Sequence, residues 1–102
     1  MLEIRPNCEC CDKDLPPDST EAMICTYECT FCESCVENML QNVCPNCGGG
    51  FVNRPIRPKE AYREGVSLQH QSASNKRVHT PYSIEELKVF AEKFKHIPPE
   101  QR

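Results

Sequence analysis

Apolar positions fall into register at one place only along this 102-residue chain. Ile84, Leu87, Phe90, Ala91, Phe94 and Ile97 recur at intervals of three and four, which lines one face of a helix. Ser83 supplies an N-cap, Glu86 completes a capping box, and Pro98-Pro99 closes the segment, so the pattern predicts a helix over about 83–96. Lys88, Glu92 and Lys95 lie away from the centre of the stripe. The first half shows no such period. Its short apolar runs predict a hairpin from Glu21–Cys25 and Tyr27–Cys29, and a short helix from Glu33 to Gln41 that presents Val36, Met39 and Leu40. A further short strand is expected at Phe51-Val52, after the Gly48-Gly49-Gly50 turn. Arg54-Pro55-Ile56-Arg57-Pro58 reads as extended, because each proline disfavours helix at the residue before it. Gln69–Asn75 is polar and aperiodic, and reads as flexible. The predicted organisation is a head over 1–53, an extended linker over 54–80, and a helix with its tail over 81–102.

The head holds too few large apolar residues to fold on hydrophobic contacts alone, a common problem for units of about 50 residues. It also holds all nine cysteines. Eight of them form four close pairs: Cys8 with Cys11, Cys25 with Cys29, Cys32 with Cys35, and Cys44 with Cys47. Two or three residues between thiols is the spacing of a metal knuckle, in which one tight turn delivers two thiolates to one ion. An odd cysteine count, with no long apolar run in Met1–Pro6 to serve as a signal peptide, argues against a disulfide framework. The expectation is a soluble zinc protein of a reducing cytoplasm, with two ions per chain and no membrane span.

Two pairings are economical. In a cross-brace, Cys8, Cys11, Cys32 and Cys35 hold one zinc while Cys25, Cys29, Cys44 and Cys47 hold the other. In a sequential scheme, the second and third pairs share an ion, and the first and fourth share the other. The cross-brace is preferred, because the sequential scheme crowds four ligands into Cys25–Cys35 and leaves a long loop for the outer pairs to close. The fold class expected is a small zinc-stabilised α+β unit, with a short hairpin and one short helix, followed by the amphipathic C-terminal helix.

The spacing, together with Cys29-Thr30-Phe31-Cys32 and Cys44-Pro45-Asn46-Cys47, resembles a RING finger over about residues 8–47, with Cys29 where such fingers usually carry histidine. A longer resemblance lies in Leu2-Glu3-Ile4-Arg5-Pro6-Asn7-Cys8-Glu9-Cys10-Cys11-Asp12-Lys13-Asp14-Leu15-Pro16-Pro17, and in the two Cys motifs continued by Gly48-Gly49. Through about Pro58 the chain resembles the short bacterial proteins called domain of unknown function 1272 (DUF1272). That resemblance implies a bacterial, cytoplasmic zinc protein and carries no activity with it.

Charge separates the halves. Residues 1–50 carry Arg5 and Lys13 against nine acids, a net −7, whereas residues 51–102 carry a net +4. A divalent ion on four thiolates stays net negative, so metal deepens the contrast. Such a head repels phosphate backbones. Nucleic-acid binding would rest on Arg54, Arg57, Lys59, Arg63, Lys76 and Arg77, a cluster with only Tyr62 for stacking. The blander reading of those residues is a solvated linker, or a strap lying on the acidic head. The leading functional reading is a non-enzymatic adaptor that binds another protein. Ligase-like activity of the RING type is the alternative, weakened by Cys10 before the second ligand and Gly48 after the last, though Pro45 fits. Cys10 reads as a half-buried bystander or a redox-sensitive thiol. His70, His79 and His96 read as surface groups. The C-terminal stripe is expected to pack on the head, dock on a partner, or pair with a second copy, with the last two slightly preferred.

Overall fold

The computed structural model describes residues 1–102. Its sheet has three short antiparallel strands, β1 (Ala22–Ile24), β2 (Thr30–Cys32) and β3 (Val52–Asn53), in the order β2-β1-β3. Ala22 faces Cys32 and Ile24 faces Thr30 on one side of β1, while Ile24 faces Val52 on the other. The second strand starts later than the apolar pattern suggests, at Thr30 instead of Tyr27. The residues between are spent on a tight turn: Glu28 adopts φ +66°, and its amide donates to the Cys25 carbonyl at 3.1 Å. That turn aims the Tyr27 amide at the Cys25 sulfur, 3.3 Å away.

Helix α1 (Glu33–Cys35) leaves β2 directly and runs on into a wide π-type turn, Val36–Leu40. Left-handed Gln41 and Asn42, at φ +50° and +61°, end it. Both amides return to the Val36 carbonyl. Asn tolerates that backbone region better than most residues, and here its side-chain oxygen also takes the Phe51 amide at 2.9 Å. Helix α2 (Ile84–Phe94) carries the anticipated capping box: the Glu86 amide donates to Ser83 Oγ at 3.1 Å, and the Ser83 amide to Glu86 Oε1 at 3.0 Å. Leu87 and Ala91, the centre of its stripe, are buried, and α2 packs across Val36–Leu40 of the same chain. Ile84, Val89 and Ile97 stay exposed.

The core is small and sulfur-rich. Cys8, Cys25, Cys29, Cys32 and Cys44 pack with Leu15, Ala22, Phe31, Val36, Leu40, Phe51 and Leu87 in one cluster. Phe31 and Phe51 meet edge to face, with ring centroids 5.4 Å apart.

Residues 54–80 contribute no helix or strand, but they are fastened to the head. Arg54 is 3% exposed and donates to the carbonyls of Arg5 (2.8 Å), Pro16 (2.9 Å) and Leu15 (3.3 Å). Arg57 donates to Leu2 and Gln71 carbonyls, both at 2.7 Å. The polar stretch expected to be flexible begins in an ordered turn, because Gln71 closes a loop onto the Gly65 carbonyl (2.9 Å) and the buried Ser67 caps the Gln69 amide (3.2 Å). Side-chain hydrogen bonds take the place of an apolar period there. At the far end, Arg102 donates to the Asn42 carbonyl at 2.7 Å, and a Cβ on Gly50 would come within 2.9 Å of Pro99 Cγ.

Replacing Arg54 with alanine leaves buried carbonyls unpaired and is expected to cost about 2–4 kcal/mol. Denaturant unfolding of the metal-loaded chain measures it, and a loss under about 0.5 kcal/mol, typical of a neutral surface change, contradicts the clamp.

Candidate metal centre

Three elements build the first cluster. The N-terminal knuckle folds because the Asp12 amide returns to the Cys8 carbonyl (2.9 Å) and the Cys8 amide donates to the Lys13 carbonyl (2.8 Å), with Asp12 at φ +64°. Cys32 ends β2 and Cys35 ends α1. The four sulfurs of Cys8, Cys11, Cys32 and Cys35 all lie within 4.8 Å of one another. The first pair therefore meets the third, across the hairpin.

A second knuckle presents Cys44 and Cys47. The Gly48 amide donates to the Cys44 carbonyl (2.7 Å) and the Cys44 amide to the Gly49 carbonyl (2.8 Å); Gly48 sits at φ +79°, a region open to glycine. The sulfurs of Cys25, Cys44 and Cys47 lie within 4.8 Å of one another. Cys29 stands outside that mutual spacing, and its sulfur accepts from the Asn46 side chain. Cys25 of the second pair therefore meets the fourth pair, and the two clusters interleave along the chain.

The donor chemistry fits metal. All nine cysteines are free thiols. Thiolate–zinc bonds of about 2.3 Å in a tetrahedron set sulfurs about 3.8 Å apart, and the Cys11 and Cys32 sulfurs are 3.8 Å apart. N–H donors already point at the sulfurs, as they do around metal-bound thiolates. The Cys11 amide reaches Cys8 (3.5 Å), the Tyr27 amide Cys25 (3.3 Å), the Gly49 amide Cys47 (3.4 Å), and the Asn46 side chain Cys29 (3.4 Å). Without a cation, crowding and burial hold most of these groups neutral. Burial pushes Cys8 and Cys25 up to about 11 and raises Cys35 as well. Cys44 is raised by its hydrogen bond to Cys29 and then by burial. Cys29 moves the other way, to about 5, chiefly through the hydrogen bond from Cys44, with Asn46, Cys25 and Arg5 assisting.

The ninth thiol, Cys10, is half-buried beside the first cluster and is raised by burial. None of the three histidines joins either cluster; His70 instead pairs with Ser67 Oγ at 2.9 Å. Asn46 and Glu9 escape a reading based on cysteine spacing. Glu9 is 2% exposed, and its carboxylate joins the Thr30 amide (2.7 Å) to Arg5 (2.9 Å), which fixes the knuckle against β2. A polar residue inside Cys44-Pro45-Asn46-Cys47 is the one available hint for Asn46; Glu9 leaves no signal in a single sequence.

Metal binding must displace protons from thiols raised to about 11, so affinity is expected to rise with pH. Titration with zinc across about pH 6 to 8, the range in which zinc-peptide affinities are strongly pH-dependent, should show steep weakening on the acid side and proton release on binding. A flat profile contradicts thiolate ligation.

The family model described as Protein of unknown function (DUF1272) matches residues 1–57. An uncharacterized protein of Rhizobium meliloti (strain 1021) is 69% identical over 58 residues, which is 57% of this chain and 69% of that relative. No solved structure matches. The matched span holds both cysteine clusters, the Glu9 and Asn46 supports, and the Arg54 and Arg57 fasteners, and it stops short of α2. With its sulfur centres and their supports inside that span, the chain belongs to the DUF1272 family.

Proposed function

We propose that the chain is a structural two-zinc module that binds another protein. The observation that carries this reading is the gathering of Cys8, Cys11, Cys32 and Cys35, from two distant pairs, to within 4.8 Å of one another, with the Cys11 and Cys32 sulfurs at 3.8 Å. An all-thiolate donor set suits zinc and excludes the hard cations that take oxygen ligands. Cys29 completes the second site beside Cys25, Cys44 and Cys47. With four thiolates on each ion, no coordination position is left to activate water, so the metal holds the fold and performs no hydrolysis. Structural zinc contributes on the order of 10 kcal/mol in small zinc peptides, enough to replace the core that the head lacks. Free thiolates at this density suit a reducing compartment.

Nucleic acid is a poor fit for the basic segment. Arg54 and Arg57 are spent on backbone carbonyls, Arg77 on Asp12 and Asp14, and Lys59 lies 3.7 Å from Asp18.

Native mass spectrometry should return two zinc ions per chain, one per cluster. Cys32→Ser should lose one of them and destabilise the hairpin, whereas Cys10→Ser should keep both. The immobilised, metal-loaded chain should retain a protein that excess free chain competes away and that chelation releases. Fewer than two metals overturns the zinc reading, and no competable partner overturns the module reading.

A further inference from the structure

The N-terminal edge of the head, from Ile4 to Glu9, is occupied by a later segment of the same chain lying parallel to it. The Ser74 amide donates to the Ile4 carbonyl (2.9 Å), and the Thr80 amide to the Glu9 carbonyl (2.8 Å). Between them, Val78 exchanges two bonds with the Asn7 side chain: its amide donates to Oδ1 (3.3 Å), and its carbonyl accepts from Nδ2 (2.9 Å). Arg77 then reaches Asp12 (2.9 Å) and Asp14 (2.7 Å), and donates to the Asp12 carbonyl (2.8 Å). Main-chain pairing with one discriminating side chain is the logic by which exposed edges receive extended peptides.

Receptor and occupant differ in how firmly they are held. Asn7 is fully buried, and its amide also bonds the Cys8 carbonyl (3.1 Å) and Asp12 (2.9 Å), so the first knuckle fixes the acceptor. The occupant is buried only at its end, where Thr80 is 7% exposed. Asn75, Lys76, Arg77 and His79 are exposed, and Val78 is half-buried. Exposed ion pairs such as those of Arg77 are screened by water and salt and hold weakly. The firm attachments flank its exposed stretch, at Arg57 on one side and at Thr80, Leu87 and Ala91 on the other. Tethering at both ends keeps the local concentration of residues 74–80 high, so the edge stays filled in cis without a strong contact.

We propose that the edge formed by Ile4, Asn7 and Glu9, with the Asp12–Asp14 pincer, is a docking site for an extended partner peptide carrying arginine followed by an aliphatic residue, and that residues 74–80 fill it as a displaceable internal mimic. The site names the surface of the interaction module described above and rests on that reading. Charge supports the choice of partner, since the head is strongly acidic and its pincer already selects arginine.

A labelled peptide with the sequence of residues 72–82 tests this on the full, zinc-loaded chain. Arg77→Glu sets like charges against the pincer and releases the mimic, so this variant should bind the peptide about tenfold or more tighter than the unaltered chain, whose site is mostly filled. Adding Asp12→Asn and Asp14→Asn should abolish that binding, as should glutamate at the arginine of the peptide. Val78→Pro, which removes the amide that bonds Asn7, is a second release variant should Arg77→Glu lose its metal. Equal or absent binding by the released and unaltered chains overturns the proposal. A released chain that dimerises and excludes the peptide assigns the edge to a second copy and overturns it too. Peptide failure with partner capture intact removes this site alone; failure of both removes the module reading with it.

Discussion

Sulfur crowding is the constraint on which the rest of this structure depends. Five cysteines belong to the main buried cluster, alongside only seven apolar residues. A core of that kind cannot hold a head of this size by hydrophobic transfer alone. Nor can the thiols ionise together, since burial and mutual repulsion drive most of them upward. A divalent ion held there would resolve both problems, because it would supply the charge that the thiolates need and tie distant turns to one point. Interleaving adds a topological effect. With an ion in each cluster, each would close a loop that contains part of the other.

Around that centre the fold is maintained by polar fasteners. Arg54 spreads one guanidinium over three carbonyls, Glu9 ties the first knuckle to β2, and Asn7 joins that knuckle to residues 74–80. These groups do work that a larger protein leaves to side-chain packing. They are expensive to remove, since each would leave buried partners unpaired.

What could be read from the chain follows from what is local. The capping box at Ser83 and Glu86, the stripe of α2 and the knuckle spacings are short-range patterns, and the structure has them. The start of β2 was legible only to within a few residues, because knuckle geometry overrides the apolar alternation of Tyr27–Cys29. That residues 54–80 lie as a strap on the acidic head was one of two bland readings of their charge, but their anchors were not legible. Their anchors are single side chains meeting carbonyls as many as 55 residues away, as Arg57 meets Leu2, and no periodicity announces such a bond. The spread of the second cluster, with Cys29 set slightly apart, lies below what spacing can resolve.

Gly50 is where the C-terminal tail bears on the head that the family shares. The glycine lies within the span shared with the family, while Pro99, which presses against it, lies outside. Any methyl group at this position would evict the proline and the terminal turn behind it. A relative without the tail is released from that veto and is free to carry alanine there. Sequence drift at one glycine thus becomes a marker of which family members keep their C-terminal segment folded back.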